Sequence, residues 1–156
     1  MSIASFVLSI ISLIVSIVVA IVQVKTSIKL NKINMNAYYC EKIFNEYLII
    51  SIPKTRKLVQ FNAKKKLIGT DQLIEQLRNM LKDSLFFKYV DSSFYNKLKN
   101  LLQELEDLLV SNANKTFETT EHAEIYQQID ELITKIYTLI NNKRIDGSIK
   151  KKKNIK

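Results

Sequence analysis

Residues 1–24 carry no charged side chain, and Ile3 to Val24 is a nearly unbroken run of Ile, Val, Leu, Ala, Phe and Ser, 22 residues long. As a helix rising roughly 1.5 Å per residue it reaches about 33 Å, the thickness of a bilayer's hydrocarbon core. Little else in a chain of 156 residues constrains the fold so strongly. The run predicts an N-terminal transmembrane helix. Its polar residues are also not scattered. With a turn of about 100° per residue, Ser2, Ser5, Ser9, Ser12, Ser16 and Gln23 fall within an arc of about 80°.

The rest of the chain has few ways to turn. Two glycines and one proline leave little for hairpins or glycine-rich loops, and a body dominated by Leu, Ile, Lys, Glu, Asn and Gln favours long helices. Heptad-like spacing continues past Val24 through Ser27, Ile28, Ile33, Ala37, Cys40, Phe44, Tyr47 and Leu48, so residues 25–50 read as a membrane-exit helix continuous with residues 1–24. Ser51-Ile52-Pro53 is expected to end it, because a residue before proline is pushed out of helical space. Residues 54–68 read as a basic helix with Leu58 and Phe61 inward, closed by Gly69; a strand pairing across Asn62-Ala63 lacks a good turn.

Beyond that point the pattern is plainer. Thr70 or Asp71 caps a helix bearing Leu73, Ile74, Leu77, Met80, Leu81 and Leu85, and an aromatic group (Phe86, Phe87, Tyr89) follows with Val90. Asp91-Ser92-Ser93 caps a second helix with Phe94, Leu98, Leu101, Leu102, Leu105, Leu108 and Leu109. Residues 111–116 read as a loop, and Thr119 or Thr120 opens a last helix striped by Ile125, Ile129, Leu132, Ile133, Ile136, Tyr137 and Ile140. The expected fold is therefore all-α: a single transmembrane helix continuing into a cytoplasmic antiparallel bundle of about four helices over residues 51–142, with a disordered polybasic tail at 143–156.

Charge is divided along the chain. Residues 25–67 hold ten bases against two acids, residues 68–142 seven bases against twelve acids, and residues 143–156 seven bases against one acid. Lys25, Lys29 and Lys32 follow the apolar run closely, which under the positive-inside rule predicts a cell-membrane protein with its N-terminus outside and its C-terminal domain in the cytoplasm. A cleaved signal peptide is the competing reading, with Val18-Val19-Ala20 as its cleavage site, but the basic n-region is missing. Lys150, Lys151, Lys152 and Lys153 join Lys25, Lys29 and Lys32 as expected contacts to anionic lipid, each base near the surface contributing about 1 kcal/mol. A solubilising tail and nonspecific nucleic-acid binding are the other readings of the C-terminal lysines, the second not favoured because the bases avoid the folded body.

The catalytic inventory is thin. His122 is the single histidine and Cys40 the single cysteine, which leaves no zinc set and no disulfide. Gly69 and Gly147 cannot form a phosphate loop. The expectation is no enzyme activity, no cofactor and no metal. One fragment, Arg78-Asn79-Met80-Leu81-Lys82-Asp83, resembles the start of the Arg-Asn-x-x-x-His motif of HEPN-type helical ribonucleases. Asp83 stands where that family has histidine, so the resemblance implies at most a degenerate ribonuclease.

Function then falls back on the first helix. Ser5, Ser9, Ser12 and Ser16 follow the 4-3-4 spacing of a left-handed helix seam. With Gln23 they predict an oligomer seam or pore face, against the alternative that each serine bonds back to its own helix and meets lipid. The leading expectation is a non-enzymatic membrane effector that homo-oligomerises through its transmembrane helix and forms a pore or depolarises the membrane. The plan is similar to small membrane-anchored effectors of bacterial antiviral defence, including the HEPN-like accessory proteins of RNA-targeting CRISPR systems. The alternative is a membrane-tethered adaptor that recruits a cytoplasmic protein partner.

Overall fold

The computed structural model describes residues 3–113 and 115–153. The described residues are mostly helical. Helix α1, Ile3–Ile43, runs directly into a π-helical segment, Phe44–Ser51, and then into the short α2, Ile52–Arg56. A hairpin of β1 (Gln60–Phe61) and β2 (Leu67–Ile68) precedes α3 (Thr70–Asp83), α4 (Leu85–Val90), α5 (Ser92–Asn112) and α6 (Glu121–Lys153). Helix α5 touches α3, α4 and α6, and α6 in turn lies against α1.

The core is built from the predicted stripes. Leu73, Leu77 and Met80 of α3, Leu98, Leu102, Leu105 and Leu109 of α5, and Ile129, Ile136 and Ile140 of α6 are buried, together with Cys40, Ile43 and Leu48 from the first helical stretch. Phe87 is fully buried and meets Phe94 edge-on at 4.9 Å, while Tyr39 of α1 stacks on Phe86 at 4.2 Å. Such aromatic pairs contribute beyond their buried area. Tyr89, expected in the same group, is exposed instead.

Three local expectations are corrected. First, helix does not end before Pro53. Hydrogen bonding widens to the i+5 pattern, so that Ile52 N–H reaches the Tyr47 carbonyl. In that register the proline's missing N–H leaves the Leu48 carbonyl without a helical donor. The Tyr137 hydroxyl of α6 donates to that carbonyl. Pro53 then sits in the first turn of α2, where a missing donor costs least.

Second, residues 60–68 are a hairpin rather than helix, with Gln60 opposite Ile68 and Phe61 opposite Leu67. A side chain builds its turn: Asn62 Oδ1 accepts from the amides of Lys64 at 2.9 Å and Lys66 at 3.0 Å, and Lys65 adopts φ 56°. Asparagine can close a turn in this way without glycine. Gly69, expected to close a helix, precedes α3 with φ 76°, and a Cβ there would lie 2.0 Å from the Leu58 carbonyl oxygen. Only glycine fits both that conformation and that approach.

Third, helix persists beyond Asn141-Asn142, where fraying into a disordered tail is expected, and runs to Lys153. Lys143 pairs with Asp91, the residue that caps α5 by accepting from the Phe94 amide at 3.1 Å. Arg144 lies over the Phe44 ring at 4.0 Å, with Glu41 at 3.8 Å. These partners come from α1, the π-helical segment and the α5 cap, so the last helix is tied down where its own sequence predicts loosening.

Candidate membrane-facing site

Between Phe6 and Val24 every residue of α1 is exposed. Its most apolar 18-residue window has a mean hydropathy of 2.8 with none of it buried, and among the described residues this is the one helix long and apolar enough to cross a membrane. Isoleucines, valines and leucines at such exposure give up the roughly 25 cal/mol per Å² that burial of apolar surface supplies. The bundle does not cover this surface.

Leu8, Ser9, Ser12, Leu13 and Ser16 line a shallow open groove along that helix. The helical period brings the three serines together, and their short side chains leave a hollow between the two leucines. Ser16 Oγ donates to the Ser12 carbonyl at 2.8 Å, so its hydroxyl is satisfied within its own helix. A back-bonded serine is compatible with lipid as well as with a neighbouring helix. Gln23 is exposed two residues before Lys25. The side chain of Ser5 and those of Lys150, Lys151, Lys152 and Lys153 lie outside the described residues, as does Ser2 altogether.

Below Val24 the same helix changes environment by degrees. Lys25, Lys29 and Lys32 are exposed, Leu30, Ile33 and Ala37 are half-buried, and Cys40 and Ile43 are in the core. Burial raises the Cys40 thiol to about 11; nearby Lys143 opposes the shift, and Glu41 and Asp91 add to it. The thiol is accordingly neutral and poorly nucleophilic. Tyr47 donates to Asp83 Oδ2 at 2.9 Å, and Lys42 stands 3.9 Å from the same oxygen. Burial, followed by that hydrogen bond, pushes the Tyr47 phenol well above its ordinary range.

The fragment that resembles the ribonuclease motif is occupied with structural contacts. Arg78 donates from Nε and Nη2 to Glu106 Oε1 at 3.0 and 2.6 Å, which raises its already high pKa, and Asp83 accepts from Tyr47. His122 is stacked on Phe61 at 3.7 Å with the rings 5° from parallel, and its Nε2 is buried without a partner. Among the described residues no three His, Cys, Asp or Glu side chains gather into a metal-binding group.

Sequence reasoning missed the lock that ties α2 and the hairpin to α6 and to the segment just before it. Arg56 holds Asp130 through Nε at 2.8 Å and Nη2 at 3.2 Å, and its guanidinium lies 5.0 Å from the Tyr126 ring centre. The Phe61 amide donates to the Tyr126 hydroxyl at 3.2 Å, and Lys65 pairs with Glu118 at 2.8 Å. That pairing lowers the Glu118 pKa. The partners lie 53 to 74 residues apart in the chain, and periodicity within one helix carries no information at that range. Comparison with known protein families, with characterised proteins and with solved structures finds no match to this chain.

Proposed function

We propose that the chain is a membrane-anchored helical effector. In this reading α1 crosses the bilayer with its N-terminus outside, self-associates through the side that carries Ser9, Ser12 and Ser16, and alters membrane permeability when the cytoplasmic bundle is assembled or engaged. One observation carries the reading: helix continues without a break from the exposed apolar residues of α1 to the buried Cys40, Ile43 and Leu48. From Ile3 to Ile43, ahead of the π-helical segment, the helix has no Pro or Gly and no built-in hinge, so rotation or tilt of the bundle is transmitted to the apolar end. Small residues along a span let neighbouring helices approach, which supports self-association.

The test is reconstitution of the full chain in liposomes, with particle mass measured in detergent. A ring of many copies that dissipates an ion gradient is the expected result, and Ser9→Leu with Ser12→Leu should abolish the flux by filling the groove while leaving the bundle folded. A dimer that leaves the gradient intact would overturn permeabilisation and favour a tethered adaptor. RNA cleavage that is lost in Arg78→Ala with folding unchanged would overturn the non-enzymatic reading.

A further inference from the structure

The C-terminal lysines are not at the end of a free tail. Helix α6 runs alongside the first helical stretch in the opposite direction, because Tyr137 meets Leu48 while Arg144 meets Phe44 and Glu41. From Arg144 the helix continues nine residues to Lys153, about 14 Å at the helical rise. The same distance along α1 from Glu41 leads to Lys32. The backbone of the four lysines 150–153 is thereby brought level with residues 32–35 of α1. Lys32 in turn is eight residues from Val24, about 12 Å below the end of the apolar run.

We infer that the last turns of α6 and the lysine face of α1 form one basic collar, which binds the phosphate headgroups of anionic lipids in the leaflet from which α1 emerges. The inference rests on α1 being a span. Lys25, Lys29 and Lys32 share a face of about 60°, and neither residues 25–35 nor residues 147–153 contain an acid. Seven bases fall in these two segments, and the nearest acid in sequence is Asp146, one turn before Lys150. The distance matters as much as the count: attraction to an anionic leaflet falls off within a Debye length of about 8–10 Å. The headgroup layer extends about 5–7 Å beyond the hydrocarbon. A helix that returns toward the membrane exit therefore brings the backbone of the four lysines, about 12–17 Å below the apolar run, to about one Debye length from the headgroups, and a helical backbone does not have to be restrained on binding. Nucleic acid is the weaker fit, since neither basic segment holds an aromatic residue on which a base could stack.

The test uses the full chain with Asn154→Cys carrying a fluorescent donor, in nanodiscs of phosphatidylcholine and increasing phosphatidylglycerol, with an acceptor on the lipid headgroup. Buried Cys40 with its raised pKa labels slowly and stays in place. Energy transfer should rise with the phosphatidylglycerol fraction and fall with salt. Replacing Lys150, Lys151, Lys152 and Lys153 by Gln should weaken the lipid partition about fivefold per lysine, whereas their replacement by Arg should preserve it. Lys25→Gln with Lys29→Gln and Lys32→Gln should weaken it as well, because both helices contribute. Chain that resists carbonate extraction yet shows transfer independent of phosphatidylglycerol and of the lysines would overturn the collar alone. Chain released by carbonate would overturn the span. Loss of transfer on adding single-stranded RNA at matched phosphate concentration would overturn the lipid as ligand.

Discussion

The two ends of one helical stretch live under opposite conditions. From Phe6 to Val24 every side chain is exposed, while from Cys40 to Ile52 the inward face is buried to within a few per cent. Both halves are apolar and both are helical. The lower half carries Glu41, Asn45 and Glu46 on its outer side, with Ile49 and Ile50 exposed below them, so the bundle covers one apolar face and leaves a mixed one to water. The upper half is apolar on every side apart from the arc of its serines and Gln23, and a bundle that packs one side could not satisfy it. Helix formation is therefore common to both halves, and the distribution of polarity around the axis decides what each half is buried in.

The largest test of that contrast is truncation on either side of it. Phe87→Ala should cost the bundle about 3–5 kcal/mol, because the ring is fully buried and a cavity is left behind. Ile14→Ala, at 55% exposure, should leave denaturant unfolding of the bundle in detergent within about 0.5 kcal/mol of the parent. Equal losses would break the division between the halves.

Alkaline unfolding probes the buried half next. The Cys40 pKa rises from 9.0 in the unfolded chain to about 11 in the fold, so the neutral thiol is favoured by folding. Its contribution is complete below pH 9 and is lost as pH climbs toward 11, by an amount of about 2–3 kcal/mol. Cys40→Ala should flatten that part of the stability profile. Thiol alkylation near neutral pH should meanwhile proceed far more slowly than for a free cysteine.

A smaller effect is expected where the two environments are joined through the π-helical segment. Tyr137→Phe removes the donor to the Leu48 carbonyl and should cost about 1–3 kcal/mol by leaving it unpaired. Pro53→Ala restores a backbone N–H in the right register, so Tyr137→Phe should cost less in that background. An unchanged cost would show that the hydroxyl is not replacing the proline's missing donor. The smallest effect belongs to the surface. Arg78→Ala should shift thermal unfolding barely at all, since the guanidinium is largely solvated despite its contact with Glu106.

Much of the helical core was legible because it depends on neighbours three and four residues apart. Leu98, Leu102, Leu105 and Leu109 show it on α5, and the Asp91 cap is equally local. Legibility stopped where a distant group intervened. Pro53 reads as a stop until Tyr137 supplies a donor to the Leu48 carbonyl, 89 residues away, and the tail after Asn142 reads as loose until Asp91, Glu41 and Phe44 hold it. The hairpin was missed for a different reason: its turn depends on the Asn62 side chain, which glycine and proline counts do not register. At the candidate site, the helical period did bring Ser9, Ser12 and Ser16 to one groove. Sequence could not say that Ser16 would spend its hydroxyl on Ser12.

Because α1 passes from its exposed end to the core without a hinge, the stalk between Lys25 and Tyr39 sets a phase as well as a length. Each residue inserted there would lift the serine face by about 1.5 Å and swing it by about 100° relative to the bundle. A single insertion would point the face away from its original neighbour. Seven residues would return it to within about 20° of the starting azimuth while raising it about 10 Å. If copies must meet through that face, their tolerance to insertions should follow helical phase rather than linker length.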